Sequence, residues 1–441
     1  MKKIIKFIFL LIIMFIPNFI KASQEILNYR TNNGIKVLYV KSENIPMIDI
    51  KITFDAGSNK DGKLKGLSML AHNLLDEGTK EMNAEEIASV FESTGAVFHT
   101  SVSKDKSSIS LRSLTQKNYL GPSIEMFLKL LSESLFPNKE LSLHKETVIS
   151  SILEDEADPG AISSNLFFKE LYENHPYAFS AQGNIDSIKK IKREDVINFY
   201  KFNINASNAS IAIVSSLSNE EVIDLAEKIS KSLNKVVKKS EYFEKDVIKN
   251  AKLKNLYQKI NSQQSHIYIG GLSVKYGSKN QFPLYVGNYI FGGSGFNSKL
   301  MQELRVKRGF TYGVYSYAYP MKDIGPFVIN METKSEQAQE SVSLIHEMLN
   351  KFYLEGPTDK ELEHAKKAII NGFPLKVKSN SDILNYLSLI NYYNLPEDYL
   401  DTFTSKIFKI TKEDILRSFK EEIDVDKLVT LVVGNEKAKK K

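Results

Sequence analysis

Ile191-Lys192-Arg193-Glu194-Asp195-Val196-Ile197 and, 219 positions later, Ile410-Thr411-Lys412-Glu413-Asp414-Ile415-Leu416 decide how this chain is organised. In each, a polar helix start precedes apolar residues at helical spacing. The same offset carries Ser210-Ile211-Ala212-Ile213-Val214 onto Val429-Thr430-Leu431-Val432-Val433, and Ile48-Asp49-Ile50-Lys51-Ile52 onto Ile267-Tyr268-Ile269. These pairs read as strands, by β-branched content or period-two alternation. Three matches at one offset indicate a duplication.

The 441 residues are too many for one core and suit two domains of about 200 residues. Strands followed by helices and further strands in each half predict an α+β fold. Each domain is expected to be a mostly antiparallel sheet with helices packed on one face. The expected bounds are 23–230 and 253–441, joined by a Lys- and Glu-rich linker over 231–252.

The chain starts Met1-Lys2-Lys3-Ile4-Ile5-Lys6 and continues as a largely apolar run from Phe7 to Ile20. That is the pattern of a secretory signal peptide, with cleavage expected near Ala22; an uncleaved anchor is the alternative. Export, to a periplasm in the first instance, follows from this reading, as does a mature chain without a membrane span. The formal charge of +6 is largely a property of the leader. Without its four lysines, 55 basic residues face 53 acidic ones, a balance of +2 that argues against a nucleic-acid partner. With no cysteine, thiol catalysis, disulfides and a lipidated N-terminal Cys are excluded.

One stretch carries a family likeness. Gly66-Leu67-Ser68-Met69-Leu70-Ala71-His72-Asn73-Leu74-Leu75-Asp76-Glu77-Gly78-Thr79 resembles the signature helix of the pitrilysin/insulinase zinc peptidases, which include the mitochondrial processing peptidase. Active members carry His-x-x-Glu-His there. Two imidazoles four residues apart share a helical face and hold zinc, and the Glu activates the metal-bound water. Here Met69 and Asn73 stand at the two histidine positions and His72 at the Glu position. The family's third ligand, a Glu on a later helix, falls on Ser150 or Ser151, with Glu146 and Glu154 each about a turn away. The resemblance therefore implies a chain with no zinc of its own. His72 with Asp76, at i and i+4, is the one pair from which an atypical metal site could be built.

The likeness extends along nearly the whole mature chain. His175-Pro176-Tyr177 with Gln182-Gly183 looks like a family scaffold element. Phe291-Gly292-Gly293-Ser294-Gly295-Phe296 resembles the family's glycine-rich loop at the substrate chamber, which makes Gly292, Gly293, Gly295 and Phe296 candidate substrate-binding residues. No Gly-Lys-Ser or Rossmann pattern accompanies it, so a nucleotide is not expected. By residue type alone Arg305 is a helix charge and Tyr312 a strand aromatic. The string Leu304-Arg305-Val306-Lys307-Arg308-Gly309-Phe310-Thr311-Tyr312 is similar to the place where the family carries an Arg and a Tyr seven residues apart. There they reach the substrate backbone and the developing oxyanion near the zinc.

Bacterial relatives often divide this labour between two subunits. The resemblance then implies a non-catalytic, peptide-binding subunit that supplies Arg305 and Tyr312 to a related subunit bearing the zinc, each chain being half a clamshell. A stand-alone peptide-binding or assembly protein, and a peptidase with an atypical site around His72, are the other readings.

Overall fold

The computed structural model describes residues 25–43, 45–234 and 253–438. The expected leader, 1–22, lies outside the described residues, as does most of the expected linker. Lys231 and Ser232, placed in that linker by the sequence, instead end the helix Asn219–Ser232, whose buried stripe runs through Val222, Leu225, Ala226 and Ile229. Among the described residues no helix is long and apolar enough to cross a membrane.

The first sheet contains β1 (Ile26–Arg30), β2 (Lys36–Lys41), β3 (Met47–Phe54), β4 (Val97–Val102), β5 (Ser107–Leu114) and β6 (Ala209–Ser215), in the order β1-β2-β6-β3-β5-β4. The second contains β7 (Lys254–Lys259), β8 (Gln264–Leu272), β9 (Val314–Ala318), β10 (Pro326–Lys334) and β11 (Val429–Gly434), in the order β7-β11-β8-β10-β9. Without β1, the two orders are the same. In each sheet one pair is parallel, β2 with β6 and β7 with β11, and the rest are antiparallel. Ile48 opposes Ser215 in the first half, whereas its counterpart Ile267 opposes Val432 in the second. The register has slipped by two, an even number, so every side chain keeps its face.

The repeated stretches do what their pattern predicts. The helices Arg193–Asn203 and Lys412–Glu422 both begin with an acid that accepts the cap amide, Asp195 from Lys192 at 2.8 Å and Asp414 from Thr411 at 3.0 Å. Thr358 and Glu361 form a reciprocal capping box.

Helices of each half cover one face of their own sheet, burying Ile211 and Ile213 of β6 in the first core and Val432 of β11 in the second. The other face of each sheet is covered from the opposite half. The helix Asn380–Tyr392 sets Ile383, Leu384, Leu387 and Ile390 against Leu38, Val40, Ala212 and Val214. Reciprocally, the helix Pro159–Tyr172 sets Phe167 and Leu171 against Val328, Val429, Leu431 and Val433. Gly270 makes room for this: a Cβ there would meet the Phe327 carbonyl at 2.1 Å and the Phe167 ring at 3.1 Å. Each large apolar side chain buried across the seam contributes roughly 1.5–3 kcal/mol. Polar bonds fix the crossing, for Asn391 Nδ2 donates to the carbonyls of Lys36 and Ile211, both at 3.0 Å. This two-sided burial explains why β6 and β11 read as near-continuous apolar runs.

The halves also meet at a buried polar junction around Asp105. Its carboxylate accepts from the Tyr177 hydroxyl, from the Lys322 amide at 2.8 Å and from the Tyr393 hydroxyl at 3.0 Å. Its carbonyl accepts from Tyr392, whose hydroxyl also reaches Asp55 at 3.0 Å. Tyr177 is the tyrosine of the His-Pro-Tyr element, and its hydroxyl also accepts from the Asp323 amide of the second half at 3.3 Å, so that element helps fasten the two halves together. Burial, reinforced by Asp105, pushes the Tyr177 phenol well above its ordinary value and keeps it a donor.

Candidate functional site

The signature-like helix is short, Leu67–Asn73, and its start is held from two sides. Gly66 adopts a left-handed conformation at φ 93°, and the buried Asp61 carboxylate accepts from the amides of Gly66 at 2.7 Å and Ser68 at 2.8 Å. The Gln182-Gly183 element braces the same turn. A Cβ on Gly183 would stand 2.1 Å from the Lys65 carbonyl, so only glycine fits there.

His72 is 1% exposed. Its Nδ1 donates to the Ser68 carbonyl at 2.7 Å, and the ring packs edge-on against Phe199. Nε2 is buried and has no hydrogen-bond partner in the described residues. Burial lowers the His72 pKa to about 4, against a smaller opposing effect of the Ser68 bond. Met69 packs against the first core, Asn73 is half-buried, Ser151 is half-buried and Ser150 is exposed. Asp76 does not approach His72 as a partner. Glu77, the next acid, is engaged by His144 Nε2 at 2.6 Å. Among the described residues no three His, Cys, Asp or Glu side chains are grouped to hold a metal ion. These residues do not fit zinc: a thioether, an amide and a hydroxyl replace the ligands, and the single imidazole is turned into the core.

A buried neutral histidine has a pH consequence. Its folded-state pKa lies below the unfolded value near 6.5, so the stability it confers is complete above 6.5 and is lost as pH falls from there toward 4. The loss approaches about 3 kcal/mol at the acid end. His72→Leu is expected to flatten the dependence of unfolding free energy on pH across that window by about one proton's worth, measured against wild type by denaturant titration. Asp61, whose burial raises its carboxyl to about 6 despite bonds from Ser68 and Gly66, is present in both proteins and cancels in the comparison.

The second constellation is assembled in the second half. Arg305 sits on the irregular helical turn Met301–Lys307, with its guanidinium carbon 4.3 Å from the Phe296 ring centre and 5.9 Å from the Tyr312 ring centre. Arg305 Nη1 donates to the Tyr312 carbonyl. Phe296, Arg305 and Tyr312 therefore form one cluster. Arg308, four residues before Tyr312, points elsewhere and pairs with Glu303 at 3.1 Å. Tyr312 is 88% exposed.

Arg305 and Tyr312 line a cavity of about 700 Å³ against β8 and β10, which His266, Tyr268 and Glu332 also line. Gly160, from the first half's crossing helix, forms part of its wall. Met69, His72 and Asn73 do not line it, so the two candidate sites are separate places on the chain. Nor do the loop glycines. Gly292 is buried behind β9, where a Cβ would stand 2.3 Å from Ser316 Oγ. Gly293 ends the helical stretch Tyr289–Gly293, and Gly295 opens the short turn Gly295–Asn297 at φ +60°. Only Phe296 reaches the site, through Arg305. Beneath the loop, Asn288 donates to the Ser316 carbonyl at 3.0 Å and accepts from its hydroxyl at 2.7 Å, closing the outer edge of β9 at that point. From the cavity a row of tyrosines runs along β9, Tyr315 to Tyr317 at 6.2 Å and Tyr317 to Tyr319 at 5.5 Å. Sequence reading missed this row, although its period of two was visible.

Comparison with known proteins bears on both places. Residues 36–182 match the family described as Insulinase (Peptidase family M16), and residues 190–369 match Peptidase M16 inactive domain. The chain is 27% identical to the "Non-peptidase homolog YmxG" of Helicobacter pylori, over 98% of this chain and 99% of that one. It is 24% identical to the "Probable inactive metalloprotease YmfF" of Bacillus subtilis, over 90% and 95%. Among solved structures, the peptidase M16 inactive domain from Pseudomonas fluorescens superposes with a TM-score of 0.89 at 31% identity, covering 95% of this chain and all of that one. A protease from Helicobacter pylori has the same fold, with a TM-score of 0.83 at 19% identity and coverage of 93% and 99%.

Proposed function

Because the chain belongs to the M16 peptidase family, as an inactive member without its metal ligands, we propose that it is the substrate-binding subunit of a heteromeric zinc endopeptidase. The observation that carries this reading is the cluster of Phe296, Arg305 and Tyr312 at a cavity of about 700 Å³ in a chain whose described residues group no set of metal ligands. A chain left to drift has no reason to hold a cation between two aromatic rings and leave a tyrosine 88% exposed beside it.

The roles follow from the chemistry of each group. One Arg305 donor is spent on the Tyr312 carbonyl, and that bond with the Phe296 stack fixes the guanidinium plane, leaving its other N–H groups for a ligand. A fixed cation and a neighbouring phenol stabilise negative charge building on a peptide carbonyl oxygen. The tyrosines of β9 offer flat, rigid surfaces to the side chains of an extended peptide. Zinc and the water it activates belong, in this proposal, to a related subunit that closes the chamber from the other side. The basic-then-apolar leader supports assembly outside the cytoplasm.

The test is reconstitution. Mixing this chain with an M16 relative that carries His-x-x-Glu-His and is encoded by the same organism is expected to give a stable complex on size exclusion and to raise peptide cleavage well above that of the relative alone. If the relative cleaves equally well without this chain, the proposal fails and a stand-alone peptide-binding role takes its place.

A further inference from the structure

Away from the chamber, the second half holds an aromatic cavity of about 230 Å³. Its walls come from the helices Gln281–Asn288, Tyr399–Lys409 and Asn380–Tyr392, the last being the helix that crosses to cover the first sheet. Phe282, Phe403 and Leu389 supply apolar lining, and the phenols of Tyr276, Tyr285, Tyr386 and Tyr399 line the same space. Neighbouring rings brace the walls. Phe403 stacks on Phe373 at 4.4 Å, Phe282 packs against Tyr399 at 5.7 Å, and Tyr276 stacks on Tyr393 at 3.8 Å. Lys376 also lines the cavity, its ammonium donating to the Tyr285 hydroxyl at 3.1 Å.

We propose that this cavity binds an aryl carboxylate, the ring lying among the aromatic walls and the carboxylate meeting Lys376 and the surrounding phenols. Size, charge and donor chemistry all select this class. The volume falls below the ~300 Å³ where pockets for drug-sized ligands begin, so the occupant is small. Aromatic walls favour an edge-to-face ring over an aliphatic chain. A carboxylate accepts only, and an ammonium with phenols supplies donors for it.

The donors are in the right state across the physiological range. Burial pushes Tyr276 up to about 12 and raises Tyr386 and Tyr399, so these phenols keep their protons. Burial, the largest influence, works against the Lys376 charge, but the Tyr285 bond and the electrostatic pull of Tyr285, Tyr386 and Tyr289 together outweigh it and hold the ammonium above its ordinary value. A second cation, Lys406, lies 5.5 Å from the Phe282 ring centre and 5.9 Å from that of Tyr399. The acid that faces Tyr386, Asp382, is occupied as the cap partner of Ser379. A cationic ligand is therefore disfavoured.

The same chemistry arises from a free aromatic acid or from the C-terminal residue of a peptide ending in Phe. Calorimetry on the full mature chain separates the two, using 3-phenylpropanoate, its amide, and Gly-Gly-Gly-Phe with free or amidated carboxyl. Saturable binding of a free carboxylate is expected, with its amide and the Lys376→Met variant each weaker by at least about tenfold, and Tyr386→Phe weaker by several-fold. Stronger binding of the tetrapeptide identifies a peptide C-terminus as the source, and of phenylpropanoate a free acid. Binding of amide and acid alike, binding unchanged in Lys376→Met, or no saturable binding at millimolar concentration overturns the proposal. None of these outcomes depends on Arg305 or on a zinc-bearing partner.

Discussion

Replacing Arg305 with alanine in the reconstituted pair is expected to lower kcat for peptide cleavage about 100-fold or more, the cost of removing one donor from a developing oxyanion. Tyr312→Phe keeps the ring over the guanidinium and removes only the phenolic donor, so a smaller loss, about tenfold, is expected. If these groups act in the transition state, kcat falls more than KM rises. Arg308→Ala is the matched control: its guanidinium is held by Glu303, and cleavage should not change. Thermal unfolding of all three variants should stay near that of wild type, because Arg305 packs on the exposed Phe296 and Tyr312 outside the buried core. Full activity in the Arg305→Ala pair would leave the cluster without a catalytic role.

The largest stability effect is expected at Asp105, not at either candidate site. Asp105→Ala removes the shared acceptor of Tyr177, Tyr393 and the Lys322 amide, all at the junction of the two halves. Each buried donor left unpaired costs about 1–3 kcal/mol, so a total loss of roughly 3–5 kcal/mol is expected. Because the bonds from Tyr393 and Lys322 cross between halves, the loss should also split thermal unfolding, by calorimetry, into two transitions where wild type shows one. A loss below about 1 kcal/mol would mean that the crossing helices alone hold the halves together.

The duplicated architecture was legible because three strand and helix stretches repeat at one offset and carry their own start signals, such as Asp195 and Asp414. The replacement of the family's metal ligands was legible because metal binding demands particular residue types at fixed spacing, and Met69, Asn73 and Ser150 are not among them. What the sequence hid was contact between distant segments. Nothing local in Asn380–Tyr392 says that Leu387 covers the first sheet, because an amphipathic stripe does not name its partner. Asp105, a single acid in a turn between β4 and β5, gave no sign that three donors from elsewhere converge on it. The loop glycines were legible only as tight backbone: at Gly292 that tightness serves packing against Ser316, and none of the three lines the cavity beside Arg305.

The central claim is that this chain has the fold of a peptidase and cannot perform the metal chemistry alone. It is tested most directly by saturating the pure protein, residues 23–441, with zinc, removing unbound metal, and measuring bound zinc and chelator-sensitive peptide cleavage on one sample. The account predicts well under ~0.1 zinc per chain and no cleavage that a chelator abolishes, since no ligand set of three or more is present among the described residues to hold the ion. About one zinc per chain with cleavage lost on chelation would contradict it.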